Sequence, residues 1–94
     1  MVKIAVFVSG GGTNLQSLID AINDGYMNAE IALVISNKEN AYGLERARIA
    51  NIKAEYIKDQ SLILTRLKEE GIDLIVLAGY LAIISDELIN EYKN

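Results

Sequence analysis

The sequence predicts an α/β fold in which a four-stranded parallel sheet carries helices on both faces. Apolar runs of strand length alternate with segments of helix length four times along the 94 residues. Each connection between successive strands is long enough to hold a helix, which is what parallel pairing requires. The strand runs also contain few polar residues, as expected for strands that are covered on both faces.

The first half of the chain supplies two strands and two helices. An apolar run predicts a strand at residues 3–8, and leucines and isoleucines at helical spacing predict a helix at 13–24. A second apolar run predicts a strand at 30–36, and a helix is predicted at 41–50. The residues of that second helix expected to face inward are Leu44, Ala47 and Ile49.

The second half repeats the alternation. A short, loosely alternating run predicts an edge strand at 53–57, followed by a helix at 60–70 and a buried strand at 73–78. A serine followed by two acidic residues predicts a last helix from 85 to about 93, because acidic groups suit the first turn of a helix. The inward residues expected in the helix at 60–70 are Leu62, Ile63 and Leu67.

With right-handed connections and helices on both faces, we expect the strand order 3-2-1-4, which is half of a Rossmann-like sheet. Ligands of such sheets bind outside the carboxyl ends of the strands. Two turns reach that edge, at residues 10–14 and 79–84, and the strands that they follow are neighbours in this order. Tyr80 is expected either to wall a flat ligand there or to pack into the core.

Length and composition narrow the class of protein. Ninety-four residues allow one domain, 1–94, and a net charge of −4 argues against nucleic acid as a partner. No apolar run approaches 18 residues and no secretory signal precedes the first strand, so we expect no membrane span and a cytoplasmic location. The sequence has no Cys or His and no spaced set of metal ligands, so we assign no metal site, and any catalysis would have to rest on carboxylates, Lys, Tyr or backbone dipoles.

The turn between the first strand and the first helix is the strongest motif. Its sequence, starting at Ser9, is Ser-Gly-Gly-Gly-Thr-Asn. A strand, a glycine turn and a helix start together aim backbone N–H groups at an anion, and glycines let the backbone approach a phosphate. Thr13 and Asn14 are residue types that cap helix N-termini and can donate side-chain hydrogen bonds.

The spacing of the glycines favours a single phosphate. Counted from Gly10, the third position is Gly12 but the sixth is Leu15, so the dinucleotide fingerprint is incomplete. The Gly-Lys-Ser/Thr of the nucleoside-triphosphate loop is also missing. The alternative interpretation is a tight strand-to-helix turn that binds nothing.

Three segments together resemble the phosphoribosylglycinamide formyltransferase family. They are Val-Ser-Gly-Gly-Gly-Thr-Asn-Leu from Val8, Ile-Ser-Asn-Lys-Glu-Asn-Ala-Tyr-Gly-Leu-Glu-Arg-Ala from Ile35, and Val-Leu-Ala-Gly-Tyr-Leu-Ala-Ile-Ile-Ser from Val76. The resemblance implies an enzyme family of purine biosynthesis that moves a formyl group from 10-formyltetrahydrofolate to the amine of glycinamide ribonucleotide. It covers essentially the whole chain.

The resemblance also implies roles by position. The residues matching the loop that holds the phosphate of glycinamide ribonucleotide are Gly11, Gly12, Thr13 and Asn14. The residues matching the segment that walls and hydrogen-bonds the folate are Tyr80, Leu81, Ala82 and Ile84. The stretches at 36–38 and 43–47 match a family signature that we expect to be mainly structural, bordering the substrate crevice.

Three departures from the family affect the expected activity. Ala82 stands where the family usually has Arg, and the stretch between the third and fourth strands is shorter and lacks an Arg expected to meet the folate tail. The family's Asn-Ile-His-Pro segment and a later Asp, which carry the transfer, are not in this sequence. We therefore expect the nucleotide-binding half of the enzyme, with no tight binding of 10-formyltetrahydrofolate and negligible turnover alone. The alternative is a non-catalytic phosphate- or nucleotide-binding module, or an assembly fragment.

Without that later part, the fourth strand is expected to lie at an edge of the sheet. Its apolar residues at 74–77 would then leave unpaired backbone groups, which natural sheets avoid. We therefore expect a homodimer in which two copies cover this edge, either by pairing edge to edge or by exchanging the last helix.

Overall fold

Four parallel strands and three helices alternate along residues 1–78, the part of the chain that the computed structural model describes. The elements are β1 (Val2–Val8), α1 (Thr13–Asn23), β2 (Ala29–Ser36), α2 (Tyr42–Ile49), β3 (Ala54–Tyr56), α3 (Gln60–Glu69) and β4 (Leu74–Leu77). Each lies within one residue, at either end, of the bounds predicted from the sequence. The predicted helix at 85–93 lies outside the described residues.

The sheet has the strand order β3-β2-β1-β4, and every pairing is parallel, so the predicted 3-2-1-4 order is confirmed. Strand β1 is central, with β2 on one side and β4 on the other. Its register against β2 shifts between Ile4 and Ala5, where Ala32 is the additional residue of β2. Both β1 and β2 end at the same edge, because Val8 pairs with Ser36.

Alternate residues of β1 face two separate cores. Val6 and Val8 point toward α1 and α2, while Ala5 and Phe7 point toward α3. Helices therefore cover both faces, as predicted. The first core also contains Leu15, Ile19, Leu44 and Ala47; the second contains Leu33, Ile35, Ile63, Leu64 and Leu67.

Two residues expected to face inward are exposed. Ile49 of α2 is 69% exposed and Leu62 of α3 is 56% exposed. The inward stripe of α3 is formed by Ile63, Leu64 and Leu67, which places residue 62 on the opposite side at 100° per residue. In α2 the stripe is formed by Leu44 and Ala47, and residue 49 lies well outside it.

Strand β4 is less buried than its sequence predicts. Within residues 1–78 it pairs with β1 alone, and Leu77 is 54% exposed. It therefore forms one edge of the described sheet, and β3 forms the other, as expected for that short strand.

Candidate functional site

The candidate site lies where β1 and β2 end, and two buried serines hold the loops there. Ser9 follows β1, and its Oγ donates a 2.5 Å hydrogen bond to Oδ1 of Asn37, which follows β2. Ser36 Oγ accepts from the amide of Lys38 and donates to its carbonyl, both at 3.0 Å. The first residues after each strand are thus linked to one another and to the sheet.

The N-cap of helix α1 lies one residue before Thr13 and Asn14, the capping types noted in the sequence. Its N-cap is Gly12, in the left-handed conformation with φ 76° and ψ 27°, and no side chain caps the helix. Thr13 and Asn14, predicted as cap types, are instead the first two residues of the helix, and both are exposed. Their side chains therefore lie at the surface of the crevice rather than against the helix end.

Three successive carbonyl groups of the loop accept hydrogen bonds from other groups of the protein. The Gly10 carbonyl accepts from the amide of Gly43 at 3.0 Å, and the Gly11 carbonyl accepts from Nε of Arg46 at 2.6 Å. The Gly12 carbonyl accepts the first i→i−4 bond of α1, from Gln16 at 2.9 Å.

The bound carbonyls orient the amide groups of the loop. In a trans peptide the C=O and N–H groups point in opposite directions, and no peptide bond in residues 1–78 is cis. The amides of Gly11 and Gly12 therefore point away from α2. The amides of Thr13 and Asn14 precede the first helical hydrogen bond, at the positive end of the α1 dipole. Four consecutive N–H groups thus surround the start of one helix, which is an arrangement that binds anions.

Helix α2 packs directly against this loop through Gly43. A Cβ on Gly12 would lie 2.6 Å from the Cα of Gly43, and a Cβ on Gly43 would lie 2.8 Å from Cγ2 of Val8. Both distances are shorter than real Cβ contacts, so both positions require glycine. Gly12 was predicted as a site residue, whereas Gly43 was placed only within a bordering stretch. The sequence feature that could have indicated the role of Gly43 is the segment Tyr-Gly-Leu-Glu-Arg, which the structure places against the loop.

The guanidinium of Arg46 is the positive side-chain group bonded to the loop. Besides the Gly11 carbonyl, it donates through Nη1 to Oε1 of Gln16 at 3.3 Å. Its carbon lies 4.9 Å from the centre of the Tyr42 ring, within the range of a cation–π contact. Sequence reasoning did not single out Arg46, because its contact joins residues 35 positions apart.

The structure brings the four predicted phosphate-loop residues together at the start of α1. They are Gly11, Gly12, Thr13 and Asn14. The predicted folate residues Tyr80, Leu81, Ala82 and Ile84 lie outside the described residues. The chain does leave β4 beside this edge, since the amide of Ala78 donates to the Phe7 carbonyl at 2.9 Å.

A cavity of about 360 Å³ lies at the opposite end of the sheet and does not belong to this site. It is mainly apolar, and Met1, Ile19, Ile31 and Ile52 are among the residues that line it.

No helix within residues 1–78 has the length and apolar character needed to cross a bilayer. In the same part of the chain, no group of three or more His, Cys, Asp or Glu side chains is placed to hold a metal ion.

The parallel sheet in the order 3-2-1-4, with a glycine loop leading into a helix, defines the Rossmann-like class of α/β proteins. Within this class the chain belongs to the formyl transferase family, whose profile matches residues 2–94.

The relatives include phosphoribosylglycinamide formyltransferases. The chain is 43% identical to the one from Dictyostelium discoideum and 44% identical to the one from Haemophilus influenzae, over 98% of its own length in each case. The crystal structure of glycinamide ribonucleotide transformylase 1 from Symbiobacterium toebii superposes on all of it with a TM-score of 0.95 at 35% identity.

The chain spans about half the length of these relatives: 53% and 48% of the two sequences, and 49% of the crystallised chain. The alignment with the Dictyostelium protein extends over 109 positions and contains 98% of the 94 residues, so it includes positions at which this chain has no residue. In the structure residues 57–59 separate β3 from α3.

Proposed function

We propose that residues 10–14 bind the phosphate of glycinamide ribonucleotide, and that the chain supplies the nucleotide-binding half of a phosphoribosylglycinamide formyltransferase in purine biosynthesis. The observation that carries the proposal is the set of bound carbonyls of Gly10, Gly11 and Gly12, which turns consecutive amides away from α2. The identity of the proposed nucleotide is taken from the names of those relatives that are phosphoribosylglycinamide formyltransferases.

The loop suits one phosphate group. The amides of Gly11 and Gly12 and the first amides of α1 donate to phosphate oxygens, and the helix dipole adds about 0.3–1 kcal/mol for a negative group at the N-terminus. Thr13 and Asn14 are exposed at the same place and can donate from their side chains.

In the proposed reaction the amine of glycinamide ribonucleotide attacks the formyl carbon of 10-formyltetrahydrofolate, the bond between that carbon and N10 breaks, and a proton lost from the amine passes to N10 of the departing tetrahydrofolate. The role of this chain is to bind and orient the amine-bearing nucleotide through its phosphate. Tyr80, Leu81, Ala82 and Ile84 are proposed to contact the folate co-substrate, mainly through their backbone. The sequence has no His, so an imidazole acid or base would have to come from outside these 94 residues.

The edge of β4 supports a second proposal, a homodimer. Within residues 1–78 β4 pairs with β1 alone, and exposed apolar residues at a sheet edge favour pairing with another strand. Two copies pairing along this edge would bury Leu77. Sedimentation over a range of concentrations tests this, and a single monomeric species at high concentration would exclude it.

The phosphate proposal is tested by NMR titration of glycinamide ribonucleotide into the chain. We expect shifts concentrated on the amides of residues 10–14, and competition by inorganic phosphate. Asn14→Ala should weaken binding about tenfold, since hydrogen bonds to charged groups contribute about 1.5–3 kcal/mol. Asn23→Ala, at the other end of α1, is the matched control. Shifts that are absent, or equal in both variants, would contradict the proposal and favour a turn that binds nothing.

A further inference from the structure

The peptide between Gly11 and Gly12 differs from its two neighbours in how it is held. The Gly10 and Gly12 carbonyls accept from backbone amides, those of Gly43 and Gln16. The Gly11 carbonyl accepts instead from a side chain, the Nε of Arg46. A substitution can therefore release this one peptide without altering the backbone partners of the other two.

The residues on either side of this peptide also leave its rotation open. It is flanked by two glycines, and glycine populates both positive and negative φ because it has no Cβ. A Cβ on Gly11 would meet nothing within 4 Å, so packing around that residue does not restrict it. If the peptide turned over, its carbonyl oxygen would face the proposed anion in place of its N–H group.

The geometry of Arg46 suits it to prevent this rotation. The guanidinium donates through Nε to the Gly11 carbonyl and through Nη1 to Oε1 of Gln16, on the first turns of α1. Gln16 is held in turn, since its Nε2 donates to Oδ1 of Asp20 at 3.0 Å. The face of the guanidinium lies on the ring of Tyr42. Arginine can make these three contacts at once because its donors form a planar fork; a lysine ammonium cannot.

We infer that Arg46 is a positioning residue that fixes the Gly11–Gly12 peptide with its N–H group toward the phosphate. The inference deepens the proposed function and rests on it for the identity of the ligand. Arg46 acts through the backbone of the loop, by holding a carbonyl, and its contribution to binding is the pre-organisation of one amide donor. A ligand then meets a loop that does not have to be ordered on binding.

The test compares Arg46→Met with Arg48→Met. Methionine keeps most of the aliphatic stem and removes every donor, and Arg48 lies on the same helix in an exposed pair with Glu45. The first readout is the Gly12 amide resonance and its hydrogen exchange without ligand. The second is the affinity for glycinamide ribonucleotide, with circular dichroism confirming that each variant is folded.

We expect Arg46→Met to shift the Gly12 amide, speed its exchange and weaken glycinamide ribonucleotide binding about tenfold. Arg46→Lys, which keeps one donor, should restore part of each effect, and Arg48→Met should cause neither. An unchanged Gly12 amide and unchanged affinity in Arg46→Met would overturn the inference. If Arg46→Met does not fold, two other variants take its place: Gln16→Ala, which removes the acceptor of the Arg46 Nη1 hydrogen bond, and Arg46→Lys. Unchanged Gly12 amide and unchanged affinity in both of these variants would overturn the inference.

The two proposals fail in different ways. Should the unmodified chain not bind the nucleotide, the phosphate proposal is wrong, and the ligand-free Gly12 resonance still decides whether Arg46 holds the peptide. Should the chain bind the nucleotide equally well in Arg46→Met, the phosphate site stands and the role of Arg46 is wrong.

Discussion

Gly12 and Gly43 are in such close contact that a Cβ on Gly12 would lie 2.6 Å from the Cα of Gly43. The contact joins the N-cap of α1 to the first turn of α2, two elements that leave neighbouring strands. Glycine at position 12 is thus required by packing and by its φ of 76°, independently of any ligand. The same packing brings the Gly43 amide to the Gly10 carbonyl and so shapes the proposed phosphate loop.

Gly12→Ala should destabilise the fold strongly. A left-handed conformation costs a residue with a Cβ about 1–2 kcal/mol, and displacement of α2 adds to this. We expect a loss of about 2 kcal/mol or more in the free energy of unfolding, measured by urea denaturation. Gly10→Ala is the control, because its Cβ would meet nothing within 4 Å and its φ is not positive. Equal losses in the two variants would contradict the packing argument.

Gly43→Ala should also destabilise, and the loss should depend on Val8. The new Cβ would lie 2.8 Å from Cγ2 of Val8, a fully buried residue of the central strand. Val8→Ala removes that methyl group, so the cost of Gly43→Ala should be smaller in the Val8→Ala background. A double-mutant cycle on urea unfolding measures this coupling, for which we expect about 1 kcal/mol. Additive losses would mean that the two side chains do not meet.

Stability should fall in acid through the carboxylates of Glu55 and Glu70. Hydrogen bonds from Arg66 hold the pKa of Glu55 below its ordinary value of 4.5, and the bond from Lys53 lowers the pKa of Glu70. When the pKa of a carboxyl is lower in the folded state than in the unfolded state, the group's full contribution to folding stability is present above the unfolded pKa. That contribution is lost as the pH falls through the folded pKa. The free energy of unfolding should therefore be constant above about pH 5 and decline below pH 4.5.

Arg66→Met tests the origin of that decline. We expect it to cost about 1 kcal/mol at pH 7, where both carboxylates are charged, and much less at pH 3. Arg48→Met is the matched control, because its pair with Glu45 is exposed on both sides. The measurement is urea unfolding at each pH. A pH-independent effect of Arg66→Met would show that its role is packing alone.

The observed orientation of α2 predicts that one of its aliphatic residues contributes little to stability and that another contributes strongly. Ile49→Lys should change the free energy of unfolding by no more than about 0.5 kcal/mol, because Ile49 is largely exposed. Leu44→Ala should cost about 2–5 kcal/mol, because Leu44 is almost fully buried between β1 and α2. Thermal unfolding of both variants checks this, and a large loss in Ile49→Lys would restore the face first predicted from the sequence.

The sequence by itself determined the elements and their order. Apolar runs, helical spacing and helix-ending residues are local features, and they located each described strand and helix within one residue. Right-handed connections and the Rossmann-like pattern then predicted the strand order that is observed. The glycine loop was found for the same reason, since its pattern between a strand and a helix is contiguous.

Only the tertiary structure decided how that loop is held. Which glycine becomes the left-handed N-cap depends on where α2 packs, and the bond from Arg46 to the Gly11 carbonyl joins residues 35 positions apart. The inward face of α3 likewise follows from its docking on Phe7 and Ile35, which buried Leu64 and left Leu62 exposed. Such contacts arise from the relative placement of whole elements, and no local pattern of residue types encodes that placement.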